Sequence, residues 1–182
     1  KKFDIIIGNP PYVRSQRIQN NYISFLKRSY KTISKGSFDL SVVFLEKISE
    51  LLNDGGIASL ILTNKFMTSA YGKEVCNYLA KNFRILTIED FNDIQLFQGY
   101  TTYTCILTFA KLDHSKRFLV KKYKNKDNFN EKDLVNSKSE TFLYNTLLSH
   151  PWNFVSGIEE KIIKICSAKK HLYLSNVFNN IF

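Results

Sequence analysis

Apolar runs separated by polar, glycine-containing turns divide most of this chain into alternating strands and helices. Residues 3–7 are rich in β-branched side chains, nearly uninterrupted and ended by Gly8, a pattern that predicts a strand buried on both faces of a parallel α/β sheet. Residues 13–36 are polar and basic, and Tyr22, Phe25, Leu26 and Tyr30 recur there at three-to-four spacing, which predicts a partly helical segment. Leu40, Val43, Phe44, Ile48, Leu51 and Leu52 form the apolar stripe of a further helix, with Asp39 as its N-cap and Asn53-Asp54-Gly55-Gly56 as its stop. A second buried strand is expected over 57–63, and Asn64-Lys65-Phe66-Met67 leads out of it over the same edge as the end of the first. A helix over about 70–82 puts Tyr71, Val75, Tyr78 and Leu79 on one face. Residues 84–91 form a third strand, and 101–110, which alternate more clearly, a fourth that returns antiparallel as a hairpin.

Beyond this α/β segment the pattern weakens. A basic strand-like piece covers 117–123, a polar stretch over 124–141 has the composition of a linker or surface excursion, and Phe142, Leu143, Trp152 and Phe154 resume the apolar positions. A helix is expected near 157–167, carrying Ile158, Ile162, Ile163 and Ile165. The expected division is therefore 1–112, 113–141 and 142–182.

Composition narrows the class. A chain of 182 residues holds one α/β domain and part of something else. No apolar run approaches the roughly 18 residues of a membrane span, and no signal peptide is visible at Lys1, so a soluble, cytoplasmic chain with no membrane partner is expected. Cys76, Cys105 and Cys166 lie far apart without Cys-x-x-Cys or histidine spacing, and His114, His150 and His171 are scattered. That argues against a metal site and for a reducing compartment. The formal charge of +10 suggests a polyanionic partner, although a lysine- and asparagine-rich composition can also follow from an AT-rich genome. Gly55-Gly56 precedes a strand instead of opening a helix, which makes it structural and not a phosphate cradle.

The chemistry is concentrated where the first strand ends, at Asn9-Pro10-Pro11-Tyr12. Each proline locks φ, cannot donate a hydrogen bond and pushes the residue before it towards an extended conformation. The carbonyls of Asn9 and Pro10 are thereby left without helical partners and can point into the crevice beyond the strand ends, where open α/β sheets bind ligands. An acceptor-lined crevice with an aromatic ring beside it suits a planar amine. Two acceptors, the Asn9 side-chain oxygen and the Pro10 carbonyl, can hold both amino hydrogens and help a delocalised nitrogen become tetrahedral as it attacks. Catalysis of that kind rests on positioning and directed electrostatics and needs no covalent intermediate.

With this motif behind such a strand, the sequence resembles the S-adenosylmethionine-dependent amino-methyltransferases, and in particular gamma-class N6-adenine DNA methyltransferases of the kind fused to type IIG restriction enzymes. The resemblance is good over 3–110 and faint from 111 to 182, where the end of the chain is similar to the entry into a target-recognition domain. It implies the C-terminal half of a Rossmann-like sheet, with an antiparallel hairpin strand and the start of a target-recognition region. It makes Asn9, Pro10 and Tyr12 catalytic and brings Pro11 and Phe97 to a flipped adenine in double-stranded DNA. Phe97 matches the family's aromatic in the loop between the last two strands, and a base taken out of its stack needs such a ring; Tyr100 and Tyr103 are neighbouring alternatives. Arg14, Arg17, Lys65 and Lys73 are the candidates for the DNA backbone.

The sequence also departs from the family. No Asp/Glu-x-x-x-Gly-x-Gly cofactor loop occurs, so the S-adenosylmethionine site is expected mostly outside this chain, with an N-terminal cofactor half and most of a recognition domain missing. The isolated chain is then expected neither to bind the cofactor tightly nor to methylate DNA, and the edge of the first strand to lack a partner. Protein-glutamine, ribosomal RNA guanine and cytosine-N4 methyltransferases share or vary the motif, and a DNA-binding or subunit-docking module with a degenerate methyltransferase half is the nonenzymatic alternative.

Overall fold

The computed structural model describes residues 1–33, 36–97, 102–113, 115–123 and 129–155. The expected helix near 157–167, Cys166, His114 and His171 lie outside them. Strand β1 (Phe3–Gly8) is followed by helices α1 (Asn20–Ser29) and α2 (Leu40–Leu51), then β2 (Leu52–Thr63), α3 (Lys73–Asn82), β3 (Arg84–Asp90) and β4 (Thr104–Ala110). The chain continues through β5 (Arg117–Lys122), the short helix α4 (Glu131–Asn136) and β6 (Ser139–Leu143). The strands among the described residues join one six-stranded mixed sheet in the order β1-β2-β4-β3-β5-β6. Strands β1, β2, β3 and β5 point the same way, whereas β4 runs antiparallel to both β2 and β3 and is inserted between them. The Rossmann-like α/β class and the antiparallel hairpin strand are thus as expected.

The core lies between one face of the sheet and helices α2 and α3. Val42, Leu45, Leu52, Leu60, Leu62, Val75, Leu79 and Ile85 are completely buried there. Asp39 caps α2 by accepting from the Ser41 N–H at 2.9 Å. The inward face of α2 is rotated from the expected stripe: Val42 and Leu45 are buried, while Phe44 is 39 % exposed. On α1, Leu26 packs inward, and Tyr22 and Phe25 stack on each other in solvent.

Three further expectations change. β1 is not buried on both faces: it is the edge strand, only Ile6 packs on the core, and Ile5 and Ile7 are 69 % and 81 % exposed. The apolar run correctly signals a strand, but no described element covers its second face. The helix expected over 70–82 divides into a 3-10 turn (Ala70–Gly72) and α3, because Gly72 is pressed against the turn formed by Asn64–Met67. An added Cβ at Gly72 would stand only 1.7 Å from the Phe66 carbonyl oxygen. Finally, the polar stretch expected as a linker carries α4 and most of β6. Phe129 and Leu134 from this stretch pack on Phe91, Ile94 and Tyr123 as a second small apolar cluster, so the sheet continues without a break past residue 112.

Candidate functional site

Parallel β1 ends with Gly8 opposite Leu60, three residues before β2 ends at Thr63, and the chain that leaves β1 carries Asn9, Pro10, Pro11 and Tyr12 beside the last residues of β2. Pro10 is buried, Tyr12 is half-buried, and Asn9 and Pro11 are exposed. The Tyr12 hydroxyl donates to Asn9 Oδ1 at 2.8 Å and leans on the Ile61 carbonyl of β2 at 3.1 Å. This single hydroxyl ties the motif's side chains to each other and to the neighbouring strand. A carboxamide oxygen has two lone pairs, so Asn9 Oδ1 keeps one for a ligand. No described donor bonds the Pro10 carbonyl. Among the described residues only the Tyr12 hydroxyl bonds either expected acceptor, and its ring is fixed beside them.

The electrostatics keep that hydroxyl a donor. Burial, with the negative charge of Asp39 adding to it, pushes the Tyr12 phenol up to about 12. Tyr71, in the turn that follows β2, is likewise pushed up to about 12, mainly by burial and again with Asp39 nearby. Sequence periodicity places Tyr71 on a helix face and Asp39 as a helix cap, and carries no signal that the charge of Asp39 reaches both Tyr12 and Tyr71.

The loop between β3 and β4 stands over the same edge. Asp90 Oδ1 accepts from Asn64 Nδ2 at 2.9 Å and from the Asn92 N–H at 3.0 Å, and Asn92 turns the chain with φ of 50°. Asn92 Nδ2 also donates to the Tyr123 carbonyl at 2.6 Å, and Gln95 Oε1 accepts from the Thr102 N–H at 3.0 Å. Ile94 and Leu96 are anchored in the second apolar cluster, and Phe97 is half-buried. Tyr100 lies outside the described residues. Tyr103 precedes β4 instead of belonging to it; its carbonyl accepts from the Asn64 N–H at 3.0 Å, and the Lys65 ammonium lies 5.6 Å from its ring centroid.

The four basic candidates are all exposed. Arg14 and Arg17 follow the motif, Lys65 follows β2, and Lys73 opens α3, so each belongs to the end of the sheet where β1 and β2 terminate. A cavity of about 290 Å³ lies further along this end, lined by Asn64, Asp90, Lys122, Trp152 and Phe154 among others, and it does not include Asn9 or Tyr12. Cys76 and Cys105 are buried free thiols, both pushed upward by burial. Among the described residues no helix is long and apolar enough to cross a membrane, and no group of three or more His, Cys, Asp or Glu side chains could hold a metal.

Comparisons with known proteins agree with this geometry. The chain is 30% identical over 190 residues to the type II restriction enzyme and methyltransferase RM.Eco57I of Escherichia coli, an alignment covering 99% of this chain and 18% of that protein. It is 32% identical over 116 residues to the type II methyltransferase M.BstVI of Geobacillus stearothermophilus, covering 63% of this chain and 20% of that one. The chain thus spans about a fifth of the length of these relatives. Its fold matches the type IIG restriction endonuclease BpuSI with a TM-score of 0.60 at 18% identity, over 79% of this chain and 19% of that one. The model of the Eco57I restriction-modification methylase family matches residues 1–97, more than half of the sequence and the part that carries β1, the Asn-Pro-Pro-Tyr turn and Phe97, and the chain belongs to that family.

Proposed function

We propose that this chain is the amine-holding part of an adenine-N6 DNA methyltransferase in a restriction-modification system. The observation that carries the reading is the pair of acceptors at the end of β1: Asn9 Oδ1, braced by Tyr12, and the Pro10 carbonyl, which no described donor bonds. Together they match the two hydrogens of an exocyclic amine. Family membership and the names of the relatives, which are type II methyltransferases, support DNA as the substrate class.

S-adenosylmethionine, when bound, supplies an electrophilic methyl group on a sulfonium sulfur. Gly8, Gly55, Gly56 and Gly72 do not form a glycine-rich loop for it: Gly55 and Gly56 lie towards the start of β2, away from the motif, Gly8 closes on the Leu60 side chain, and Gly72, although it caps α3, is pressed on Phe66. The reading assigns the donor to polypeptide outside this sequence, as about four-fifths of the length of these relatives lies outside the aligned part.

What this chain's own residues do follows from their chemistry. Asn9 Oδ1 and the Pro10 carbonyl each accept one N–H of adenine N6 and draw its lone pair out of conjugation with the ring. A methyl donor bound beside them would supply the carbon that this nitrogen attacks; the part of these residues is to hold the amine in line, and the surplus proton on nitrogen would pass to water. Preorganised acceptors of this kind act on positive charge as it develops, which is where electrostatic catalysis is most effective. Tyr12 offers its ring to one face of the extruded base and Phe97 to the other face or an edge, replacing stacking lost from the duplex. Pro11 packs beside the base, and Arg14, Arg17, Lys65 and Lys73 meet phosphates.

The test uses the complete polypeptide, a radiolabelled methyl donor and, in parallel, duplex DNA, ribosomal RNA and a release-factor protein. Label in DNA as N6-methyladenine, lost with Asn9→Ala, is the expected result. Label in protein glutamine, in guanine or in cytosine N4 would replace the substrate class, and binding of DNA without any transfer would leave only a docking role.

A further inference from the structure

Asp39 is 6 % exposed, and its connections go beyond the cap of α2. Its Oδ1 accepts from the Ser41 N–H at 2.9 Å and from the Ser41 hydroxyl at 2.7 Å, which fixes the residue in an extended conformation with φ −101° and ψ 141°. So held, Asp39 stands opposite Arg14 in an antiparallel bridge. The Leu40 N–H donates to the Val13 carbonyl at 2.8 Å, and the Ser15 N–H donates to the Phe38 carbonyl at 2.8 Å. The Phe38 N–H in turn donates to Ser15 Oγ at 3.1 Å. Residues 13–15 and 38–40 therefore form a short two-sided strap, and Val13 is the residue directly after Tyr12.

We propose that Asp39 is a positioning residue for the amine-holding turn: by capping α2 it fixes the strap at 38–40, and the strap holds the chain at 13–15 so that Tyr12 and Asn9 keep their geometry. The inference rests on the methyl-transfer reading above. The closeness of Asp39 to the site is supported by its charge acting on both Tyr12 and Tyr71, after burial, in raising their phenols. The two prolines stiffen the chain before Tyr12; on the other side the described backbone hydrogen bonds at 13–15 are those of the strap and of the short turn at Ser15–Arg17. Misplacement of a reacting group by about 1 Å is enough to slow chemistry about a hundredfold, which makes a backbone anchor next to the motif consequential.

Substitutions at the two ends of the strap separate this role from simple helix capping. Asn is as good an N-cap as Asp and offers the same Oδ1 to Ser41, whereas Ala offers nothing. In the complete enzyme, below the melting temperature of every variant, Asp39→Ala is expected to lower kcat about tenfold or more with KM for DNA and for the methyl donor little changed. Asp39→Asn is expected to restore kcat to within about threefold of the wild type, since the cap hydrogen bonds survive. Ser15→Ala, which removes one of the strap's three hydrogen bonds without touching Asp39, should lower kcat in the same direction by a smaller factor, about threefold, and it remains informative if Asp39→Ala does not fold. Amide hydrogen exchange at Ser15 and Leu40 should accelerate in Asp39→Ala and stay slow in Asp39→Asn.

An Asp39→Ala or Ser15→Ala enzyme with wild-type turnover would overturn the proposal. So would an Asp39→Asn enzyme as slow as Asp39→Ala, because charge and not the strap would then matter. The exchange readout does not depend on the reaction, so a wild-type enzyme that fails to methylate adenine would sink the function while leaving the strap to be judged by exchange alone.

Discussion

Removing the Tyr12 hydroxyl tests the structural brace of the site separately from its aromatic ring. Tyr12→Phe keeps the ring but deletes the donor that reaches Asn9 Oδ1 at 2.8 Å and the Ile61 carbonyl at 3.1 Å. Because one hydrogen serves both acceptors, and because exposed Asn9 can turn to water, the net loss of stability should be about 1 kcal/mol. For a chain of this size that corresponds to a fall of roughly 2–4 °C in melting temperature. Freed of its brace, the Asn9 carboxamide no longer presents its oxygen to the amine in one orientation, and turnover should fall about tenfold, equivalent to about 1.4 kcal/mol. Tyr12→Ala removes the ring as well, and loss of base–aromatic stacking adds about 1–3 kcal/mol to the barrier. Differential scanning calorimetry and single-turnover methyl transfer by the complete enzyme measure the two quantities. If Tyr12→Phe melts and turns over like the wild type while Tyr12→Ala is slow, the hydroxyl brace is refuted and only the ring matters.

Other perturbations follow from the same structure. Gly72→Ala drives a Cβ to within 1.7 Å of the Phe66 carbonyl, a backbone contact that no side-chain rotation relieves; overpacking of this kind should cost about 3 kcal/mol, read from the urea midpoint. Unchanged stability would mean that the two turns after β2 are not packed as described. Tyr12 and Tyr71 titrate near 10 when unfolded but are held to about 12 in the fold. Between those values the unfolded chain binds fewer protons than the folded one, so stability is intact below pH 10 and declines as pH rises towards 12. Denaturant titrations at a series of alkaline pH values should show this decline, reduced in a Tyr71→Phe variant. Phe97→Ala should slow methyl transfer about tenfold or more and weaken 2-aminopurine fluorescence at the target position; normal values of both would remove Phe97 from the base site.

Much of the fold was legible because its signals are local. The strand of β1, the capped helix from Asp39 and the returning strand up to Ala110 each follow from periodicity or a cap, whereas Asn53-Asp54-Gly55-Gly56, expected as the stop of that helix, belongs to β2. What was hidden depends on contacts between distant segments. The Phe3–Gly8 run cannot show that its second face is uncovered, since burial depends on which elements lie above it. The rotation of α2 that turns Phe44 outward is set by the packing of Val42 and Leu45 against the sheet. β6 is polar and short and gains its strand character only by pairing with β5. At the site, the Tyr12 residue type was legible, but its bond to the Ile61 carbonyl spans 49 positions, and no spacing announces such a pair.

The central claim, that Asn9 and Pro10 hold the amino group of adenine in DNA, is tested most directly by methylome sequencing of cells that express the complete gene, with and without Asn9→Ala. The account predicts N6-methyladenine at one defined sequence with the wild-type gene and its disappearance in the variant. Methylation that persists in the variant, or a wild-type gene that leaves adenine unmodified, would contradict it.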